Sequence, residues 1–298
     1  MKIVGIPYGN MNTATTRIRF HSFLDALPEG HEWSVCDGDP HGDILYIQKK
    51  ADEDAFRMVE KAQRHGMKVV YDLDDEIKAE PGKWRDRMVR LVDMVTTDMP
   101  EWAEKLTSHG AKIVRVIPDC VDYHGQYEPY GVREEAKSVV TFGNTPSVLA
   151  AVDYIDYLHL PFQTTYITSR PQSDFTRAQF KEWKLDGFIK ELTIHDWCFL
   201  AQPFGGKTKS NNRLLVCMAL GIPTLVTDSP AFSQTMERVG YPSLIVRNSD
   251  DVVIKLCAYS DPNIRRSISC AFQSVALDYR PEASAIKLLA VFNEILGG

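Results

Sequence analysis

The sequence predicts an α/β protein made of two doubly wound halves. Three observations carry that expectation. Short β-rich runs alternate with longer amphipathic stretches, which is the pattern of parallel β-α-β units. The alternation occurs twice, and a polar segment without periodicity, HGQYEPYGVREE, separates the two series. At 298 residues, 44% hydrophobic and 25% charged, the chain is long and apolar enough to bury two cores of ordinary size.

The elements follow in order. KIVGIP (2–7) reads as a strand. TRIRFHSFLDAL (16–27) has Ile18, Phe20, Phe23, Leu24 and Leu27 at helical spacing. HEWSVC and DILYIQ are strands, residues 52–65 a charged helix, and MKVVYDLDD a further strand. A helix over 83–91, the strand DMVTTD, the helical WAEKLTSHG and the strand AKIVRVIPD complete the first series. The order is that of a doubly wound sheet, and the first domain is placed at 1–133. The second, 134–280, holds the strand SVVTFGN, a helix on SVLAAVDYIDYL, the strand TTYITSR and a long polar helical stretch. WCFLAQPF, the helix opening at KTKSNNRLLVCMA, the strand GIPTLVTD and SLIVRN follow. PEASAIKLLAVFNEIL forms a terminal helix within 281–298, with Pro281 suited to its first turn.

Bulk properties narrow the function classes. A net charge of −6 argues against attraction of the whole surface to nucleic acid or anionic membrane, while leaving room for a local basic groove. MKIVGIPYGN meets Gly, Pro and Asn too early for a signal peptide, and no apolar run reaches the roughly 18 residues of a membrane span. A cytoplasmic protein is expected, in the host cytoplasm if the gene is viral. Cys36, Cys120, Cys198, Cys217, Cys257 and Cys270 form no Cys-x-x-Cys pair, so free thiols are expected rather than disulfides or a zinc site.

Open α/β sheets bind ligands at the carboxyl ends of their strands. In the second half this selects Gly143-Asn144, Thr168-Ser169-Arg170, residues 204–212 and Thr227-Asp228-Ser229. A helix starting near Ser210 or Asn211 offers unpaired amides and a positive dipole end, with Lys207, Lys209 and Arg213 beside it. That is an anion site suited to a diphosphate, unless Ser210 or Asn211 simply caps the helix and the lysines are solvated. In the first half, Arg17 and Arg19 either reach a ligand cleft or form a solvated basic turn. His21 is a base or a plain surface histidine. YDLDDE (71–76) crowds carboxylates at a strand end. Asp72 and Asp74 can bind Mg²⁺ or Mn²⁺ or hold a proton as a base, unless Asp74 or Asp75 simply caps the next helix.

Four segments resemble the two-domain GT-B glycosyltransferases of the broad family-one and family-four-like group: TTRIR (15–19), VVYDLDDE (69–76), VTTDMPEWAEKL running to VRVIPDCVD (95–122), and FGGKTKSNNRLLVCMALGIPTLVTD (204–228). The resemblance implies two Rossmann-like domains facing across a cleft, with the terminal helix returning toward the first domain. It implies a hexosyl-type transferase using a nucleotide-diphosphate sugar, most simply a UDP-sugar, with no further cofactor and no required metal. Lys207, Lys209, Ser210 and Asn211 then face the diphosphate, Thr168, Ser169 and Arg170 the nucleoside, and Gly143 and Asn144 lie under the donor. Arg17 and Arg19 line the cleft, and Asp72, Asp74 and His21 are the catalytic candidates on the acceptor side.

The implied acceptor is a soluble saccharide, a protein side chain or a 5-hydroxymethylated pyrimidine in DNA, the last as used by small bacteriophage-type enzymes of this fold. The DNA reading requires a basic groove, drawn from Arg17, Arg19, Lys83, Arg85, Arg87 and Arg90. One departure is plain. Where many relatives carry two glutamates eight positions apart, this chain has Thr208 and Val216. That opens one alternative, a catalytically inactive nucleotide- or sugar-binding protein; the acidic cluster opens another, Mg²⁺-dependent phosphoryl chemistry at Asp72 and Asp74.

Overall fold

Runs rich in Val and Ile become buried parallel strands, and the chain sorts them into two sheets. The computed structural model describes residues 1–74, 83–122, 130–155, 162–171, 178–203 and 210–297. Two compact units emerge, one formed by Met1–Tyr123 with Tyr279–Gly298, the other by His124–Asp278.

The first unit holds β1 (Lys2–Ile6), β2 (Glu32–Val35), β3 (Ile44–Gln48), β4 (Lys68–Asp72), β5 (Met94–Thr97) and β6 (Val114–Val116). They form one parallel sheet in the order β2-β1-β3-β4-β5-β6. The chain winds from β1 to β2 on one side and then crosses to β3, so the topological switch lies between β1 and β3. Every residue of β3 is buried, as a strand covered on both faces requires.

The expected first helix is a π-helix, Thr16–His21, running into the single α-turn α1 (Ser22–Asp25). α2 (Glu53–Arg64) starts at Asp52, whose carboxylate accepts from the Ala55 amide at 2.8 Å. Glu53 and Asp54 occupy its first turn and Lys61 and Arg64 its last, matching the helix dipole. α3 (Trp84–Leu91) and α4 (Pro100–Ser108) complete this part. The core gathers Ile3, Phe20, Phe23, Ile44 and Tyr46 with Leu288 and Phe292 of the terminal helix, Pro281–Leu296. The end of the chain thus returns to the first unit. Gly5 is needed there, because an added Cβ would lie 2.3 Å from Cζ of Phe20.

The second unit contains β7 (Ser138–Phe142), α5 (Thr145–Ile155), β8 (Gln163–Thr168), β9 (Gln179–Glu182), α6 (Phe188–Thr193) and β10 (Trp197–Leu200). α7 (Asn212–Leu220), β11 (Thr224–Thr227), α8 (Pro230–Val239), β12 (Ile245–Val246), α9 (Ser249–Ala258) and α10 (Pro262–Ala276) follow, and the terminal helix is α11. Its parallel sheet runs β12-β11-β10-β7-β8-β9, with the switch between β7 and β10.

One expectation needs correction. The stretch after TTYITSR, read as long and helical, contains strand β9, which pairs with β8, and the short helix α6. Tertiary pairing overrides its polar, helix-like composition. The sequence reading named no elements over α8, α9 and α10, although Asn248 and Asp261 cap the last two with side-chain bonds.

Candidate functional site

In the second unit the carboxyl edge of the sheet is where polar groups accumulate without partners. Arg213, in the first turn of α7, reaches the switch point. Its NH1 donates to the Phe142 carbonyl, just past the middle of the sheet, at 3.0 Å, and its NH2 to the Ala201 carbonyl at 2.8 Å. These carbonyls close β7 and follow β10, the two strands that flank the switch. Arg213 has no carboxylate within ion-pair distance among the described residues. Burial pulls its guanidinium down to about 10, so it keeps its charge at neutral pH with no balancing anion among the described residues.

Gly143 makes room for that side chain. Its φ is +140°, and an added Cβ would meet Cδ of Arg213 at 3.1 Å. Asn144 caps α5, its Oδ1 accepting from the Ser147 amide at 3.2 Å. Thr168, at the end of β8, is fully buried with an unpartnered hydroxyl, while Ser169 and Arg170 are exposed. Buried polar atoms of Gln202, beyond β10, and Ser229, beyond β11, also lack partners among the described residues. Buried polar atoms are normally satisfied, so orphans along adjacent strand ends mark a place for a polar ligand.

The start of α7 bears on the capping alternative. Asn211 is its N-cap residue, and its side chain does not cap the helix. The Asn211 amide group instead donates to Thr235 Oγ1 of α8 at 2.8 Å. The first-turn amides of this nine-residue helix, beside Ser210, thus receive no side-chain cap from Asn211. Lys207 and Lys209 lie outside the described residues, as does Thr208. Val216 is buried within α7. A cavity of about 270 Å³ bordered by Arg133, Gln163, Lys181, Glu191 and His195 lies at the opposite, amino end of this sheet.

In the first unit the same edge is arranged differently. Arg19 is fully buried; its Nε and NH2 donate to Asp72 at 2.9 and 2.7 Å, and its NH1 donates to Asp119 at 2.9 Å and to the Ile117 carbonyl at 2.8 Å. Burial alone would lower its pKa, but the Asp72 carboxylate holds it above the ordinary value. Arg17, also buried, forms a two-pronged pair with Asp122 at 3.0 and 2.6 Å. These contacts bear on two expectations. The charge of both arginines is balanced by carboxylates of the same unit. Asp72 is fully buried, and Thr96 adds a third donor to it at 2.7 Å.

Asp74, by contrast, lies at 12% exposure, with Lys49 Nζ at 2.6 Å and the Thr15 hydroxyl donating at 2.9 Å. Lys49 follows β3 and has φ of +53°, a strained conformation for a side-chain-bearing residue, at the switch edge. Gln48 ties the loop after β1 over this point, its Nε2 donating to the Thr15 carbonyl at 2.7 Å and its Oε1 accepting from the Tyr8 amide at 3.2 Å. Tyr8 stays 47% exposed beside it. The sequence reading missed Lys49, although ILYIQKK puts it directly past a strand end. His21 is half-buried and packs edge-on against Phe20 and Trp33 at 5.3 and 5.7 Å. Asp75 and Glu76 lie outside the described residues. Asp98, which follows β5, is buried; burial first and the Asp119 carboxylate second push it up to about 7, against the pull of Arg19.

Two parallel six-stranded sheets, each wound from a switch point, are the architecture of GT-B glycosyltransferases. No protein-family model and no curated protein sequence matches the chain. Solved structures do share its fold. WaaG, a glycosyltransferase involved in lipopolysaccharide biosynthesis, aligns over 100% of both chains at 11% identity with a TM-score of 0.61. TarM aligns over 84% of this chain at 10% identity with a TM-score of 0.60, and the chain spans only 54% of TarM. A trehalose-6-phosphate structure from E. coli bound with UDP-2-fluoro glucose aligns over 85% of this chain and 74% of its own at 12% identity, TM-score 0.59. No helix among the described residues is long and apolar enough to cross a membrane.

Proposed function

We propose that the protein transfers a sugar, of hexosyl type, from a nucleotide-diphosphate donor to an acceptor hydroxyl. One observation carries the proposal: Arg213, a charged guanidinium that among the described residues hydrogen-bonds to main-chain carbonyls and pairs with no carboxylate, at the switch point of the second sheet. An anion is the missing partner, and the uncapped start of α7 supplies amides for it. The fold shared with glycosyltransferases supports the sugar-donor reading, and the UDP-2-fluoro glucose in one neighbour supports UDP as the nucleotide.

In this scheme Arg213, Ser210 and the α7 amides face the diphosphate, joined by Lys207, Lys209 and Asn211 on the strength of the sequence. Thr168, Ser169 and Arg170 face the nucleoside, and Gly143 and Asn144 the donor's underside. As the bond from the anomeric carbon to the phosphate oxygen breaks, negative charge grows on the diphosphate, and fixed positive groups stabilise it. A bond forms from the acceptor oxygen to the anomeric carbon, and the acceptor proton passes to a base, which we assign to Asp74. A saccharide hydroxyl is the favoured acceptor, since Arg17 and Arg19 are withdrawn from any DNA-facing groove.

The test is calorimetric titration with UDP, followed by turnover of UDP-sugars. UDP is expected to bind without added metal. Asp74→Asn is expected to retain UDP affinity while transfer falls about 10²- to 10⁴-fold. Failure of every nucleoside diphosphate to bind would remove the donor-site assignment. A second reading, binding without transfer, draws on Val216, where many relatives have glutamate. UDP binding with neither hydrolysis nor transfer of any UDP-sugar would select it.

A further inference from the structure

Away from the strand ends just described, Asp39, His41 and His65 meet at the amino edge of the first sheet. Asp39 and His41 belong to the connection between β2 and β3, and His65 closes α2. One side-chain donor atom from each lies within 4.8 Å of the others. The two imidazoles stack nearly parallel, with centroids 4.6 Å apart and planes inclined by 14°. His65 Nδ1 sits 2.9 Å from the Pro40 carbonyl. A carbonyl only accepts, so Nδ1 donates, and in the neutral ring Nε2 then carries the lone pair. That is how metal-bound histidines are held: the second ring nitrogen donates to a carbonyl, which fixes tautomer and orientation. Lys61 Nζ pairs with Asp39 Oδ1 at 2.8 Å and leaves Oδ2 for another partner.

We propose that Asp39, His41 and His65 form a site for a divalent transition ion of the zinc type. Two nitrogens and one carboxylate oxygen suit Zn²⁺, Ni²⁺ or Co²⁺ and do not suit Mg²⁺ or Ca²⁺, which take oxygen ligands. Zinc–nitrogen bonds of about 2.0–2.1 Å put tetrahedral ligand atoms about 3.4 Å apart. All three side chains are exposed, so rotations about their own bonds can close the remaining gap. Water completes the shell. The ion would clip the β2–β3 connection to the end of α2, far along the strands from Asp74, so it acts on the stability of this unit and takes no part in transfer.

The test is calorimetric titration and thermal melting of the full chain in Zn²⁺, with Mg²⁺ as control. One Zn²⁺ per chain is expected to bind and raise Tm, since a ligand of the folded state alone stabilises it. Mg²⁺ is expected to do neither. His65→Ala and His41→Ala are each expected to weaken Zn²⁺ binding at least about tenfold, and Asp39→Asn several-fold. The substitutions lie on exposed side chains, and Tm without metal checks that each variant folds. The proposal is overturned if Zn²⁺ gives no heat and no Tm shift. It is equally overturned if the His41→Ala/His65→Ala double variant binds like the parent, which would direct the ion to exposed Cys257 or Cys270. Unchanged affinity in Asp39→Asn would remove the carboxylate and with it the three-ligand site.

Discussion

Arg19 and Arg213 occupy related places in the two units, each near the carboxyl edge of a six-stranded parallel sheet, yet they are solvated by opposite means. Arg19 is surrounded by carboxylates, Asp72 on one side and Asp119 on the other. Arg213, among the described residues, hydrogen-bonds to carbonyls, those of Phe142 and Ala201, and lies over the Phe232 ring. A buried cation balanced from within is architecture: it fixes strand ends and the loops that carry its partners. A cation held by neutral dipoles keeps its charge uncompensated, and an anion arriving from solution can complete it. The difference separates a structural arginine from one suited to a ligand, although both follow the same kind of strand end.

The largest effect should come from breaking the balanced arginine. Arg19→Met leaves Asp72 and Asp119 buried without their cation, and removing one member of a buried pair costs about 3–5 kcal/mol. Urea denaturation of the variant should show this loss. A cost below about 1 kcal/mol would mean that the cluster is hydrated and not structural. Asp98 probes the same cluster through pH. Its folded-state pKa is raised to about 7, so the folded protein retains the proton over a range in which the unfolded chain has lost it. Stability tied to this group is complete below about pH 4 and is lost as pH rises to 7, by at most about 4 kcal/mol. Asp98→Asn should flatten that decline, with little effect at pH 4 and a gain at pH 8. A parallel pH profile in the variant would place the titration elsewhere.

The unbalanced arginine should respond in the opposite sense. Arg213→Met is expected to cost less stability than Arg19→Met, because no carboxylate is stranded. UDP affinity should fall about 10- to 100-fold, the scale of a charge-assisted hydrogen bond of about 1.5–3 kcal/mol. If Arg213→Met destabilises the chain as much as Arg19→Met does, the contrast between the two fails.

Much of the strand and helix order was legible, because parallel β-α-β units alternate apolar β-rich runs with amphipathic ones, as KIVGIP, DILYIQ and SVVTFGN do. Strand β9 was not, since Gln179–Glu182 is polar and takes its conformation from pairing with β8. The placement of the candidate site was half legible. The strand-end rule selected Thr168, Gly143 and the start of α7, which the structure puts at the carboxyl edge of the second sheet. It could not tell Arg19 from Arg213, because Asp72 and Asp119 are 53 and 100 positions from Arg19 in sequence. Asp39, His41 and His65 showed no motif for the same reason, their approach being made by the fold and not by spacing.

Gly143 allows the smallest and sharpest test of how Arg213 is positioned. With φ of +140°, Gly143 adopts backbone that a side-chain-bearing residue enters only under strain, and its missing Cβ leaves the space that Arg213 Cδ occupies. Gly143→Ala should therefore cost about 1–2 kcal/mol in stability. The new methyl group, 3.1 Å from Cδ in the parent geometry, must also displace the guanidinium from the Phe142 carbonyl. If Arg213 contacts the diphosphate from this position, UDP affinity should drop several-fold beyond what reduced stability explains at saturating temperature control, and the drop should vanish in the Arg213→Met background. Loss of stability with unchanged UDP affinity would show that the arginine serves the strand ends alone, and the diphosphate would then have to be held by the α7 amides and the lysines before them.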